Sequence, residues 1–188
     1  MKTMQFKFNV KKATQAACVL LRLNDGDMDK YIFIKMLYLA DRISLEKWNE
    51  PLTGDSPVSM QYGPVLSTVY DLTKGACPRF QGDWGKFVSP ADQQTNRISL
   101  LKEPGTDELS KSEEDILKQI HRKFRNYNWK MMRDYCHKLK EYEERKSGSK
   151  PISYESILEA VGKQKEEICE AAEQTENFNR VELLFGAS

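Results

Sequence analysis

The stretch Tyr31-Ile32-Phe33-Ile34-Lys35-Met36-Leu37-Tyr38-Leu39-Ala40 is apolar at almost every position. A helix that is apolar all round belongs in the middle of a protein, because it has no face to offer water. A chain that carries such a segment must fold around it. At about 100° per residue, Ile34, Leu37, Leu45 and Trp48 share one face with Asp41 in their midst. Lys35, Arg42 and Glu46 gather on another side, expected to meet water. The helix is predicted over about Met28–Trp48, N-capped by Asp27. It should stop before Glu50-Pro51, since a residue preceding proline is pushed out of helical geometry.

The remaining elements are read outward from that helix. Val10, Ala13, Ala17 and Leu20, with Ala16 beside them, recur at helical spacing over Val10–Leu23, and Asn24-Asp25-Gly26 supplies a stop. Residues 51–62 read as a loop or short extended connection. Gly63-Pro64 reads as the start of a third helix to about Lys74, because proline suits a first turn. Trp84–Val88 and Arg97–Leu101 read as two strands of a small antiparallel hairpin. Ser110 and Glu113 form a capping-box pattern ahead of Ile116, Leu117, Ile120 and Phe124. After a break at Asn126–Asn128, Trp129, Met132, Cys136 and Leu139 mark another helix. Residues 141–150 read as a charged linker. Ser153 is the expected N-cap of a last helix through about Ala172, with Ile152 and Ile157 placed as a hydrophobic staple. The predicted fold class is mainly α: a single compact helical domain over residues 1–160 with a small antiparallel β-hairpin, plus a C-terminal helical extension over 161–188.

Composition narrows the function classes. Lysine and arginine total 29 against 28 aspartates and glutamates, a formal net charge of +1. A chain whose main task was to hold phosphate backbones would be more basic. The N-terminus opens on charged sequence without the apolar core of a secretory signal. No apolar run approaches the ~20 residues of a membrane span. The four cysteines, Cys18, Cys77, Cys136 and Cys169, are scattered, which reads as free thiols in a reducing cytoplasm rather than a disulfide frame or a zinc site. No cofactor and no metal are expected.

Residues able to carry chemistry are few. Of the two histidines, His137 directly follows Cys136. Adjacent helical residues point about 100° apart and make a poor nucleophile–base pair, so His137 reads as a packed histidine hydrogen-bonded to Asp134 or Asp41. Asp41, a carboxylate on an apolar face, is costly unless paired; the favoured reading is an internal tie. The run Lys123-Phe124-Arg125-Asn126-Tyr127-Asn128-Trp129-Lys130 mixes bases and aromatics as a single-strand stacking surface would, but its apolar members fit the neighbouring helix cores better. No phosphate-binding, nucleophile-elbow or zinc-protease motif occurs. No catalytic residue is assigned.

Three segments carry a resemblance. Lys35-Met36-Leu37-Tyr38-Leu39-Ala40-Asp41-Arg42 resembles a K-L-L-Y-L-A-D-R helix, and Tyr62-Gly63-Pro64-Val65 with Val69-Tyr70 resembles a G-P-V element. Trp129 to Leu139, through Arg133 and His137, resembles a later helix that ends in a histidine. In this order they are similar to the Panacea domain, also called SocA-like or GepA-like, over about residues 8–160. Met36 stands where leucine is usual, and Tyr142 where the family has a tryptophan. The resemblance implies a largely helical antitoxin that neutralises a protein toxin by direct contact, encoded next to it in a bacterial or prophage locus. Some relatives instead act as adaptors that present a bound toxin to a protease.

On that resemblance Lys35, Leu37, Tyr38, Asp41, Arg42, Gly63, Pro64, Val65 and His137 are expected to build the scaffold. The toxin interface is expected on exposed connections, with Thr53, Asp55, Tyr62, Pro64 and Leu66 as its first candidates. The expected partner is a protein toxin, with a protease if the chain is an adaptor. A membrane is not expected, and an enzyme or a nucleic-acid binder is the lesser alternative.

Overall fold

The computed structural model describes residues 3–185, and in it the apolar run is the hub. Along the chain come α1 (Val10–Leu23), β1 (Asp27–Asp29), α2 (Lys30–Trp48), β2 (Pro57–Met60), β3 (Gly63–Leu66), α3 (Ser67–Thr73) and α4 (Pro78–Trp84). They are followed by β4 (Arg97–Ser99), α5 (Lys111–Phe124), α6 (Trp129–Cys136), β5 (Ser149–Pro151), α7 (Tyr154–Ala160) and α8 (Lys165–Phe185). The mainly α class holds. Every residue of α2 from Ile32 to Asp41 is buried, and the helix packs against α1, α3, α5, α6, α7 and β3. No helix among the described residues is long and apolar enough to cross a membrane.

Local signals set most helix ends where the sequence places them. Asn9 caps α1 by accepting the Lys12 N–H, and Ala13, Ala16 and Ala17 are wholly buried where small side chains let neighbours approach. Asn49 ends α2 in the left-handed region, two residues before Pro51. Both bonds of the Ser110–Glu113 capping box form. Asn128 caps α6 and Ser153 caps α7.

The β elements depart from expectation. Asp27 does not cap α2; Asp29 does, accepting from the N–H groups of Tyr31 (2.9 Å) and Ile32 (3.2 Å). Asp27–Asp29 is instead strand β1, antiparallel to β4 with Met28 opposite Ile98. The expected Trp84–Val88 strand is absent, because Pro78 opens a short helix that carries Trp84 in its last turn. The indole is wholly buried, edge-on to Phe33 at 6.4 Å between ring centres. Of that hairpin's pairing a single bridge, Val88 to Leu100, survives.

Gly63-Pro64 does not start a helix either. Gly63 has φ +102°, outside helical space, and it closes a tight β2–β3 hairpin in which Ser59 faces Pro64. Strand β3 lies at the sheet edge, where proline's missing N–H costs no ladder bond. The end of the charged 141–150 linker becomes β5, antiparallel to β2. The last helix is two: Gly162, at φ +97°, separates α7 from α8, and α8 runs past Ala172 to Phe185.

Candidate functional site

Side chains of the motif helix reach out to three separate segments and lock each one. The first lock is Asp41. Its Oδ1 accepts the Thr53 N–H (3.1 Å) and its Oδ2 accepts the Thr53 hydroxyl (2.8 Å), all of it buried. Burial pushes the Asp41 carboxyl well above the usual range, against the pull of the Thr53 bonds. The internal tie expected of Asp41 exists, made to the 53–55 connection rather than to a histidine or arginine. Thr53 Oγ1 also accepts the Asp55 N–H (3.2 Å). Asp55 in turn accepts the N–H groups of Ser56 (2.7 Å), Thr68 (3.0 Å) and Val69 (2.8 Å). Asp55 therefore caps α3 from a distance, since α3 has no side-chain cap of its own.

The second lock is Glu141, whose side chain is wholly inside. It accepts from the Tyr38 hydroxyl (2.9 Å) and from Arg42 Nε (2.6 Å). Burial pulls the Arg42 guanidinium down, but bonding and charge pairing with Glu141 outweigh that and raise it. Burial pushes the Tyr38 phenol well up, and Glu141 adds to the effect.

The third lock holds the tip of the β2–β3 hairpin by its carbonyls. Lys35 Nζ donates to Pro64 O (2.7 Å), Tyr31 to Tyr62 O (2.6 Å), and Tyr142 to Met60 O (3.0 Å). Gly63 passes so close that a Cβ there would sit 3.0 Å from Cys136 Cβ and 3.1 Å from Lys35 Nζ. Lys35 was expected to meet water, yet only 1% of it is exposed. Its stem packs in the core while the ammonium finds a carbonyl instead of solvent. Burial pulls the Lys35 amine from 10.5 down to about 7.

Between pH 7 and pH 9 the unfolded chain keeps the Lys35 proton while the folded chain gives it up, so stability rises with pH. We expect the wild type to gain on Lys35→Met by roughly 1 kcal/mol per pH unit across that window, the limit for one proton being about 1.4. Urea unfolding of both proteins at pH 7, 8 and 9 measures it; parallel curves would refute it. Above pH 9 the buried thiol of Cys136, pushed up to about 11, works in the opposite sense.

His137 departs from its expectation. It stacks on Tyr142 at 4.6 Å between ring centres, and its buried Nε2 has no hydrogen-bond partner among the described residues. Burial lowers its pKa. Asp134 is taken by Arg133 (2.8 Å), so the acid–histidine bond is not formed. In the mixed basic–aromatic run, Phe124 and Tyr127 contact each other and Tyr135 of α6 ring to ring, and Trp129 stays exposed under Arg133. Leu37 and Val65 are core residues. Of the five residues expected on exposed connections, Thr53, Asp55, Pro64 and Leu66 are buried. Tyr62 alone faces solvent, at the hairpin tip. Tyr31 and Glu141, which complete the locks, went unread in the sequence.

What the fold and these locks define is a small helical domain whose motif side chains are spent on holding a hairpin and two connections to one central helix. A family model described as antitoxin SocA-like, Panacea domain, matches residues 33–143. That is more than half of the chain, which belongs to this antitoxin family. No curated protein and no solved structure matches it.

Proposed function

We propose that this protein neutralises a cognate protein toxin by binding it directly, without catalysis, in the cytoplasm. The family match over residues 33–143 carries the reading. The geometry supports it in one respect: Lys35, Tyr38, Asp41 and Arg42, four of the motif groups with useful chemistry, are engaged with neighbouring segments of the same chain. Cys136, the candidate nucleophile, is a buried thiol held far from its reactive form. The four cysteines are free, as a reducing compartment would keep them.

The test is growth of cells expressing the product of the neighbouring gene, with and without this chain. Relief of toxicity together with a co-purifying complex of fixed stoichiometry is the expected result. Relief that needs a protease, with toxin levels falling, would replace neutralisation by delivery for degradation. Toxicity unrelieved despite good expression of the folded protein would remove that neighbour as the partner.

A further inference from the structure

Helix α8 divides into two halves. Ile168, Ala171 and Ala172 in the first half are buried, and the helix lies against α7. Asn179 Nδ2 donates to Gln5 O (2.8 Å), which pins the helix to the N-terminal segment. Along the second half Phe178, Val181 and Leu184 recur every third residue and are 64%, 53% and 70% exposed. Such a row on a helix already docked by its first half marks a contact surface rather than scattered apolar residues.

The row leads into a groove. Its volume is about 770 Å³, and Phe6 and Phe8, Trp48 and Phe178 line it from three different parts of the chain. Trp48, on the rim at the end of α2, is 44% exposed. The wall formed by Trp48 lies inside the family-matched stretch 33–143, whereas those of Phe6–Phe8 and Phe178 lie outside it. The groove is thus built where the shared scaffold meets segments particular to this chain.

The polar lining says what fits. Lys7, Lys11 and Lys12 line the groove against a single carboxylate, Glu50. Lys11 and Lys12 are answered by Glu108 (3.5 Å) and Glu113 (2.6 Å). Lys7 has no ion pair among the described residues, and Lys47 lies only over the Trp48 ring at 5.9 Å. The buried Oδ1 of Asn49, another lining residue, also lacks a hydrogen-bond partner among the described residues. A second copy docked about a two-fold axis would bring this cationic mouth against itself. An acidic partner would not.

We propose that this groove and the exposed face of α8 form the docking surface for the toxin, taking from it a segment with apolar anchors and acidic flanks. The proposal rests on the toxin-binding reading above. Aromatic anchors of this kind dominate the energy of protein interfaces.

The experiment is titration of the purified neighbouring-gene product with the full chain and its variants, with melting temperature as the control for folding. Trp48→Ala and Phe178→Ala are each expected to weaken binding at least ~30-fold. Lys7→Glu should weaken it ~10-fold at low salt and flatten its salt dependence. Tyr62→Ala and Trp129→Ala, exposed elsewhere, should stay within about threefold of wild type. Binding unchanged in the Trp48→Ala/Phe178→Ala double variant, or lost in Tyr62→Ala instead, overturns the proposal and leaves toxin binding standing. Absence of binding by the wild type removes that gene product as the partner and overturns both readings for it. A wild-type dimer in sedimentation that Phe178→Ala converts to monomer would assign the face to a second copy and overturn it as well.

Discussion

Replacing Asp55 with alanine is expected to destabilise the fold by about 3–5 kcal/mol, although the residue sits in a connection with no regular structure. The carboxylate accepts three backbone N–H groups, from Ser56, Thr68 and Val69. Two of these are orphan donors in the first turn of α3, a helix that has no other side-chain cap. Each buried donor left unsatisfied costs about 1–3 kcal/mol, and water can reach only some of them. The Tyr154 hydroxyl, which donates to Asp55 O (2.6 Å), would lose its alignment as the connection relaxes. Asp55→Asn should fall about halfway, because its remaining oxygen can serve Ser56 and Thr68 while its amide opposes the Val69 N–H. Urea unfolding followed by circular dichroism reads the effect as a lower midpoint at unchanged slope. A loss under ~1 kcal/mol would mean that Asp55 does not cap α3.

That lock also shows why some of the architecture was legible in the sequence and some was not. The starts of α5 and α7 depend on groups within four residues of each other, so the Ser110–Glu113 pair and Ser153 announce them. The centrality of α2 follows from a run with no polar face. The strands are three or four residues long, too short for alternation to register. Their pairing is decided by distant neighbours: β5 is recognisable as a strand only because β2 lies beside it. Proline before a helical pattern suggested a first turn at Gly63-Pro64. What overruled it was the left-handed bend at Gly63, which closes the β2–β3 hairpin where a Cβ would crowd Cys136 and Lys35.

The candidate site divides along the same line. Asp41 could be read as an internal tie because an unpaired carboxylate on an apolar face is too costly to keep. Lys35 could not be placed inside, since its burial depends on the carbonyl of Pro64, a residue 29 positions away. Glu141 was hidden for the same reason. In sequence it is one acid in a charged linker, and only the fold brings it to Tyr38 and Arg42.

Glu141 sets the second large expectation. Its side chain is fully enclosed and that of Arg42 is 18% exposed, so the two charges have little solvent to fall back on. Glu141→Ala should cost about 3–5 kcal/mol, because it strands the guanidinium and the Tyr38 hydroxyl together. Arg42→Ala should cost a comparable amount by leaving the carboxylate with Tyr38 alone. The Glu141→Leu/Arg42→Leu double variant should cost clearly less than the two single leucine changes added together, with a coupling of about 2 kcal/mol in a double-mutant cycle. Additive losses would show the pair to be inert. The cycle also separates fold from recognition. If the motif builds the frame and the toxin is held elsewhere, then neutralisation lost in Glu141→Ala should return in the double variant in proportion to its regained stability. A double variant that folds well and still fails to neutralise would place Arg42 or Glu141 in contact with the toxin itself.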